Sequence, residues 1–173
     1  MSESDPRPIG RHRFATIEDD PDNPGWVIWK MNTKGRFLDI FGDVRLKRED
    51  DNRVRCRVDT EMRHANGFEA VHGGFMMAVV DQSFFWTCHL LDRFEGGAVT
   101  LDSTTHFMGS PRAGEPIDAV VDILKETGRM IFLRGLIEQD GAPVASFSGT
   151  LRKISRKPGT VRSSGSNVSS PRT

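Results

Sequence analysis

From residue 25 onward the chain is a succession of short apolar segments cut by turn residues, and the spacing inside each segment predicts its form. Residues 53–59 set Val54, Cys56 and Val58 against Arg53, Arg55 and Arg57, the period-two pattern of a strand with one buried face. Residues 43–49 form a companion strand, joined to it by Asp50-Asp51-Asn52, three turn formers. Residues 73 to about 92 are too long and too continuously apolar for a strand and read as one helix. Four more strands follow at 98–108, 116–126, 129–139 and 143–154. Their connectors are residues 109–114, Thr127-Gly128 and Asp140-Gly141-Ala142, and the Thr127-Gly128 and Asp140-Gly141 pairs suit hairpins. Two earlier apolar segments, 25–31 and 36–42, are expected to cap the domain as short helices or strands. Two strands, one long helix and a four-strand meander make an α+β fold, in which one antiparallel sheet must curl around a single helix.

The two ends differ from this middle. Residues 1–24 are rich in Pro, Asp and Arg without sustained periodicity, and are expected to be a poorly ordered extension. Residues 155–173 hold Ser, Gly, Pro and basic residues but no acid, and cannot bury enough apolar surface to offset ordering entropy. The folded domain is therefore expected over 25–154, one domain in a chain of 173 residues.

Charge and composition narrow the partners. Lys plus Arg and Asp plus Glu are 24 each, so no net field points to nucleic acid or an acidic membrane surface. The longest apolar run, Phe75 to Val80, falls far short of the roughly 20 residues a membrane helix needs. The first ten residues lack the apolar core of a secretory leader. Cys56 and Cys88 have neither metal-ligand nor disulfide-framework spacing. The expectation is a cytoplasmic protein with free thiols, no metal site and no membrane or nucleic-acid partner.

Candidate chemistry concentrates in residues 64–86, HANGFEAVHGGFMMAVVDQSFFW. A helix turns about 100° and rises about 1.5 Å per residue. Seven steps from Gly74 to Asp81 place the two within about 20° of one stripe, shared with Met77, Ala78 and Phe85. Asp81 thus points toward the core or an interface, where a carboxylate is costly unless donors meet it. At the other end, free N–H groups and the helix dipole favour negative charge. Gly73 and Gly74 let a ligand approach the backbone there, and Asn66 adds a neutral donor suited to a developing oxyanion. The rise also puts Asp81 about 10 Å from the Gly74 amide, too far for both to act on one centre, since a base must sit within about 3 Å of its target. Two antiparallel copies can bring the ends together. Each feature alone has a plainer reading: a glycine turn, a satisfied buried Asp, a His72 that fixes the turn, strand hydroxyls at Thr100 and Ser103.

The run Asn66-x5-His72-Gly73-Gly74-x6-Asp81, followed by AVTLD at 98–102 and a meander, resembles the hotdog-fold acyl-CoA thioesterases of the phenylacetic-acid-degradation (PaaI-type) branch. The resemblance spans residues 36–154 and implies the following. Asp81 is general base or nucleophile. Gly74 donates its N–H to the thioester carbonyl, Asn66 positions carbonyl or water, and Thr100 orients the water beside Asp81, from the opposite subunit. His72 is the motif's positioning histidine, beside Gly73 at the substrate. Apart from the resemblance, the acyl chain is expected near Phe75, Phe84 and Phe85, of which Phe84 and Phe85 are first of all core residues. The CoA phosphates are expected near surface cations, with Arg112, Arg129 and Arg152 as candidates. No cofactor is implied, and the assembly is a homodimer or dimer of dimers. Two other functions fit the same fold: a hotdog hydratase or dehydratase acting on acyl thioesters, and a non-catalytic acyl-CoA-binding or sensing module.

Overall fold

The computed structural model describes residues 15–32, 34–93 and 97–154. Among them, eight strands form one antiparallel sheet. They are β1 (Ala15–Asp19), β2 (Val27–Met31), β3 (Val44–Arg48), β4 (Arg53–Val58), β5 (Ala98–Phe107), β6 (Ile117–Glu126), β7 (Met130–Gln139) and β8 (Ala142–Lys153). Their spatial order is β1-β2-β3-β4-β6-β7-β8-β5. The single α-helix, α1 (Gly73–Leu90), packs against β3, β4, β5, β6 and β7. The α+β wrap expected from the sequence is the fold found.

Strand alternation decides what the sheet offers the helix. In β4, Val54, Cys56 and Val58 are fully buried while Arg53, Arg55 and Arg57 lie on the outer face. Their partners Val121, Ala119 and Ile117 on β6 continue the buried layer. Outside, Arg57 is bidentate to Asp118 (2.7 and 2.8 Å) and Arg53 to Asp122 (2.7 and 3.1 Å), while Arg55 reaches Asp118, Glu138 and Glu49. A cavity of about 530 Å³ on this outer face is lined mainly by these charges, already satisfied by one another. Two glycines admit large rings on the inner face: a Cβ at Gly135 would lie 2.4 Å from the Phe147 ring, and one at Gly149 2.5 Å from Phe84.

Two expectations change and one is narrowed. Residues 15–19, inside the stretch read as a structureless extension, form β1 in register with β2 from Ala15↔Met31 to Asp19↔Val27. Cross-strand pairing supplies the order that local pattern lacks. Of the two capping segments, 25–31 contains a strand and 36–42 a 3-10 helix, Phe37–Phe41. Finally, the stripe Gly74, Met77, Ala78, Asp81, Phe85 is not the core. Helix α1 buries Phe75, Met76, Val79, Val80, Ser83, Phe84, Trp86, Thr87 and Cys88 instead, and Met77 is 53% exposed. Asp81 itself is half-buried, at the margin of the core beside β5. Residues 1–14 and 155–173 lie outside the described residues. No helix among those described is long and apolar enough to cross a membrane.

Candidate active site

The segment before α1 is folded by its own side chains. Asn66 Oδ1 accepts the N–H groups of Phe68 (2.8 Å) and Ala70 (3.2 Å), closing a loop in which Glu69 takes a positive φ of 59°. Asparagine does this because its amide oxygen mimics a backbone acceptor two residues along. With the oxygen engaged, the donor end of Asn66, its NH₂, is left for a ligand. Val71 N–H then donates to Pro111 O and His72 N–H to His64 O (both 2.8 Å), tying the loop to the β5–β6 connector and to the 3-10 turn Met62–His64.

His72 is the N-cap of α1, and its Nδ1 accepts the N–H of Gly74 at 2.9 Å. This departs from the expectation for Gly74, whose N–H was to be free for a carbonyl oxygen. A Cβ on Gly74 would crowd His72 Nδ1 at 3.1 Å, so glycine is what lets the ring close over its own helix end. The preceding amide, Gly73 N–H, has no partner among the described residues. It is the open donor at the positive end of the dipole.

Eight residues along the helix from Gly73, Asp81 Oδ1 accepts the hydroxyl of Thr100 at 2.7 Å. Thr100 lies on the inner face of β5, opposite buried Leu151, and immediately before a register shift in the β5–β8 pairing. Asp81 is half-buried and has no cationic partner among the described ion pairs. A carboxylate held by one neutral hydroxyl keeps lone pairs available for a proton.

Beside the helix start lies a cavity of about 300 Å³ lined by Phe37, Ile40, Arg63, His64, Ala65, His72, Gly74, Phe75 and Ala78. Of the three phenylalanines assigned to substrate, only Phe75 lines it. Phe84 is a core residue, fully buried over Gly149 and edge-on to Phe147 (centroids 5.7 Å apart), and Phe85 is half-buried and packs against the margin of the core. Sequence periodicity missed Phe37, Ile40, His64 and Ala65, because they come from turns whose placement only the tertiary contacts set.

His64 holds this wall together. Its ring stacks on Phe75 (4.1 Å between centroids, 11° between planes). Nδ1 accepts the Glu61 N–H at 2.9 Å, and Nε2 lies 3.0 Å from Ile40 O and 3.2 Å from Arg63 Nε. Burial holds His64 below its ordinary range, the nearby Arg63 guanidinium adds to this, and the bond to Ile40 O opposes it. A depressed folded pKa means that the unfolded chain binds the proton first. The stabilisation is whole above the unfolded value of about 6.5 and is lost as pH falls through the folded one. Urea unfolding at pH 7.5 and pH 5.5 should show a loss on acidification that shrinks in His64→Asn. An equal loss in both proteins would remove His64 as its source.

The thioesterase superfamily model matches residues 68–145, a segment that includes α1, Asp81 and Thr100. Among solved structures, zebra fish thioesterase superfamily member 2 is similar, with TM-score 0.62, 21% identity, and coverage of 70% of this chain and 88% of that one. A point mutant of phenylacetic acid degradation protein PaaI from Thermus thermophilus gives TM-score 0.58, 22% identity, and 68% and 98% coverage. Thioesterase superfamily member 2 from Mus musculus gives 0.54, 23%, 63% and 80%. At such identities these likenesses speak to the fold. No curated protein matches the sequence. Over residues 68–145 the sequence matches the thioesterase superfamily model, and across its sheet and central helix the chain has the hotdog fold.

Proposed function

We propose that the protein hydrolyses an acyl-CoA thioester to the free acid and CoA at a site shared by two copies. The observation that carries this is the Thr100–Asp81 hydrogen bond at 2.7 Å, which holds a half-buried carboxylate beside the edge strand β5. Water held by Thr100 and Asp81 attacks the thioester carbonyl carbon while Asp81 takes its proton. The carbonyl oxygen becomes an oxyanion and meets the helix N-terminus and the Asn66 NH₂ of the other copy, where donors aimed at developing charge act strongly. The C–S bond then breaks, and the leaving thiolate takes the proton back from Asp81.

Geometry argues for the second copy. Eight residues at about 1.5 Å each separate Gly73 from Asp81 by about 12 Å, so one helix does not bring its two ends to a single carbonyl. Strand β5 is an unpaired sheet edge, exposed on both faces along most of its length, with Leu101 at 50% and Phe107 at 49%. An edge of ten residues with apolar side chains is a template for another strand. Pairing β5 with β5 of a second copy would set the two helices antiparallel on the same side of a continuous sheet. The oxyanion donor in this reading is Gly73 N–H, which is open, with Gly74 contributing only when His72 releases it. The rival of a non-catalytic acyl-CoA sensor would bind its ligand without releasing thiol.

Two measurements test this. Thiol release is assayed across a panel of acyl-CoAs, and release from none of them overturns the hydrolase. For the shared site, Asp81→Asn and Asn66→Ala proteins are mixed, unfolded and refolded together. Half the dimers are then mixed and each carries one intact site, so activity should rise to about a quarter of wild type. A mixture no more active than the average of its parents overturns the sharing.

A further inference from the structure

Across the outer face of the sheet, charges sit against opposite charges on neighbouring strands: Arg57 with Asp118, Arg53 and Arg134 with Asp122, and Arg55 with Glu138. Strand β5 departs from this pattern. Its register with β8 sets Thr100, Ser103, Thr105 and Phe107 opposite Leu151, Gly149, Phe147 and Ala145, the buried inward row. Asp102, Thr104 and His106 therefore project from the outer face. Asp102 and His106 are exposed, and neither makes an ion pair among the described residues.

Their neighbours within the copy are neutral. Asp102 faces Thr150 and His106 faces Ser146 on β8, with Phe132 and Leu136 behind them on β7. Of the charged groups on that face, Arg134 and Glu138 of β7 are taken by Asp122 and Arg55. Arg152 of β8 stands diagonal to Asp102 and forms no ion pair with it. On its other side β5 is the open edge of the sheet.

The order of residues along the strand says what fits that edge. Asp102 and His106 stand at equal distances on either side of Thr104. In an antiparallel pair of identical strands, residues equidistant from the two-fold axis face one another. An axis at Thr104 sets each Asp102 opposite the His106 of the other copy, once on each side of the axis and on one face. The inner row favours the same register. Thr100 reaches Asp81 at one end of β5, and at the other a Cβ on Gly73 would lie 3.4 Å from the Phe107 ring. The axis at Thr104 brings the Thr100 end of each strand beside the Phe107 end of the other, and so each carboxylate beside the other helix start. We infer that β5 docks on β5 of a second copy with Thr104 on the axis and Asp102 facing His106, which couples assembly of the shared site to pH. The inference rests on the proposed shared site for its partner and adds the register and the proton dependence. The pairs form with imidazolium, so their contribution is whole below about pH 6.5, where a free histidine gains its proton, and is lost as pH climbs above it.

The full-length protein tests register and pH separately. Thr104→Cys should form an intermolecular disulfide on oxidation, because residues on the axis face each other at about 4.5–5.5 Å between Cα atoms, inside the span of a disulfide. Ser103→Cys should not, since one step off the axis the two Cα atoms are more than about 7 Å apart. Cys56 and Cys88 are fully buried and offer no competing thiol. By sedimentation, the dissociation constant of the wild-type dimer should be roughly tenfold higher at pH 8 than at pH 5.5, the scale of two exposed cross-strand charge pairs. Asp102→Asn or His106→Gln should remove most of that difference, and Asp102→His/His106→Asp should restore it. A cross-link at Ser103 and none at Thr104 overturns the register, and a pH dependence unchanged in both single variants overturns the charge pairs. If Thr104→Cys cross-links while mixed Asp81→Asn and Asn66→Ala proteins regain no activity, the shared site falls and the edge pairing stands. Regained activity without the cross-link overturns the pairing and leaves the shared site.

Discussion

Asp81→Asn is expected to lower kcat for thioester hydrolysis by at least about 10²-fold, the usual floor for removing a positioned base. The reason is local. The Asn side chain keeps the size of Asp and an oxygen to accept the Thr100 hydroxyl, which now reaches Asp81 at 2.7 Å, but it cannot take a proton from water. Stability and KM should therefore move little, because Asp81 is half-buried and makes no ion pair that the substitution would break. Thiol release and urea unfolding on the same preparation check both halves. Retention of more than about a tenth of wild-type kcat would remove Asp81 from the base role. A large fall in stability would leave a structural explanation for any lost activity.

Phe84→Ala is expected to be the most damaging single change to the fold, at about 3–5 kcal/mol, a large share of the roughly 5–15 kcal/mol that domains possess. Phe84 is fully buried, packs edge-on to Phe147, and occupies the space over Gly149 that a Cβ would enter at 2.5 Å. The reciprocal change, Gly149→Ala, overfills the same spot and should cost about 1–3 kcal/mol. Because the two share one volume, Phe84→Ala combined with Gly149→Ala should cost less than the sum of the single changes. Denaturant midpoints for the three proteins test this. Strict additivity would mean that Phe84 and Gly149 do not share the contact described.

Several features of the site were legible in residue order. The motif from Asn66 to Asp81 marks the loop, the helix start and the carboxylate, and AVTLD marks the strand that carries Thr100. Local chemistry is enough here: an asparagine folds its own loop, glycines open a helix end, and seven residues along a helix return to the same face. The same logic fails for Phe84. Near the candidate carboxylate Asp81, Phe84 reads as a pocket wall, but it sits about 100° round the helix from Phe85 and turns into the core. It fails again for the cavity beside α1, whose Phe37, Ile40 and His64 come from turns without periodicity.

The sequence alone determined the order of elements, the alternation that makes one face of β4 apolar and the other cationic, and the positions of the chemical groups, because each depends on neighbours a few residues apart. Tertiary structure decided the rest. It paired residues 15–19 into β1, where no local pattern demands a strand. His72 closed over Gly74 N–H and left Gly73 open. Of three candidate arginines, it engaged Arg112 with Asp140 and left Arg129 and Arg152 exposed. Each of these turns on which distant segment lies opposite, and register between strands far apart in the chain is set by burial of the whole sheet against α1.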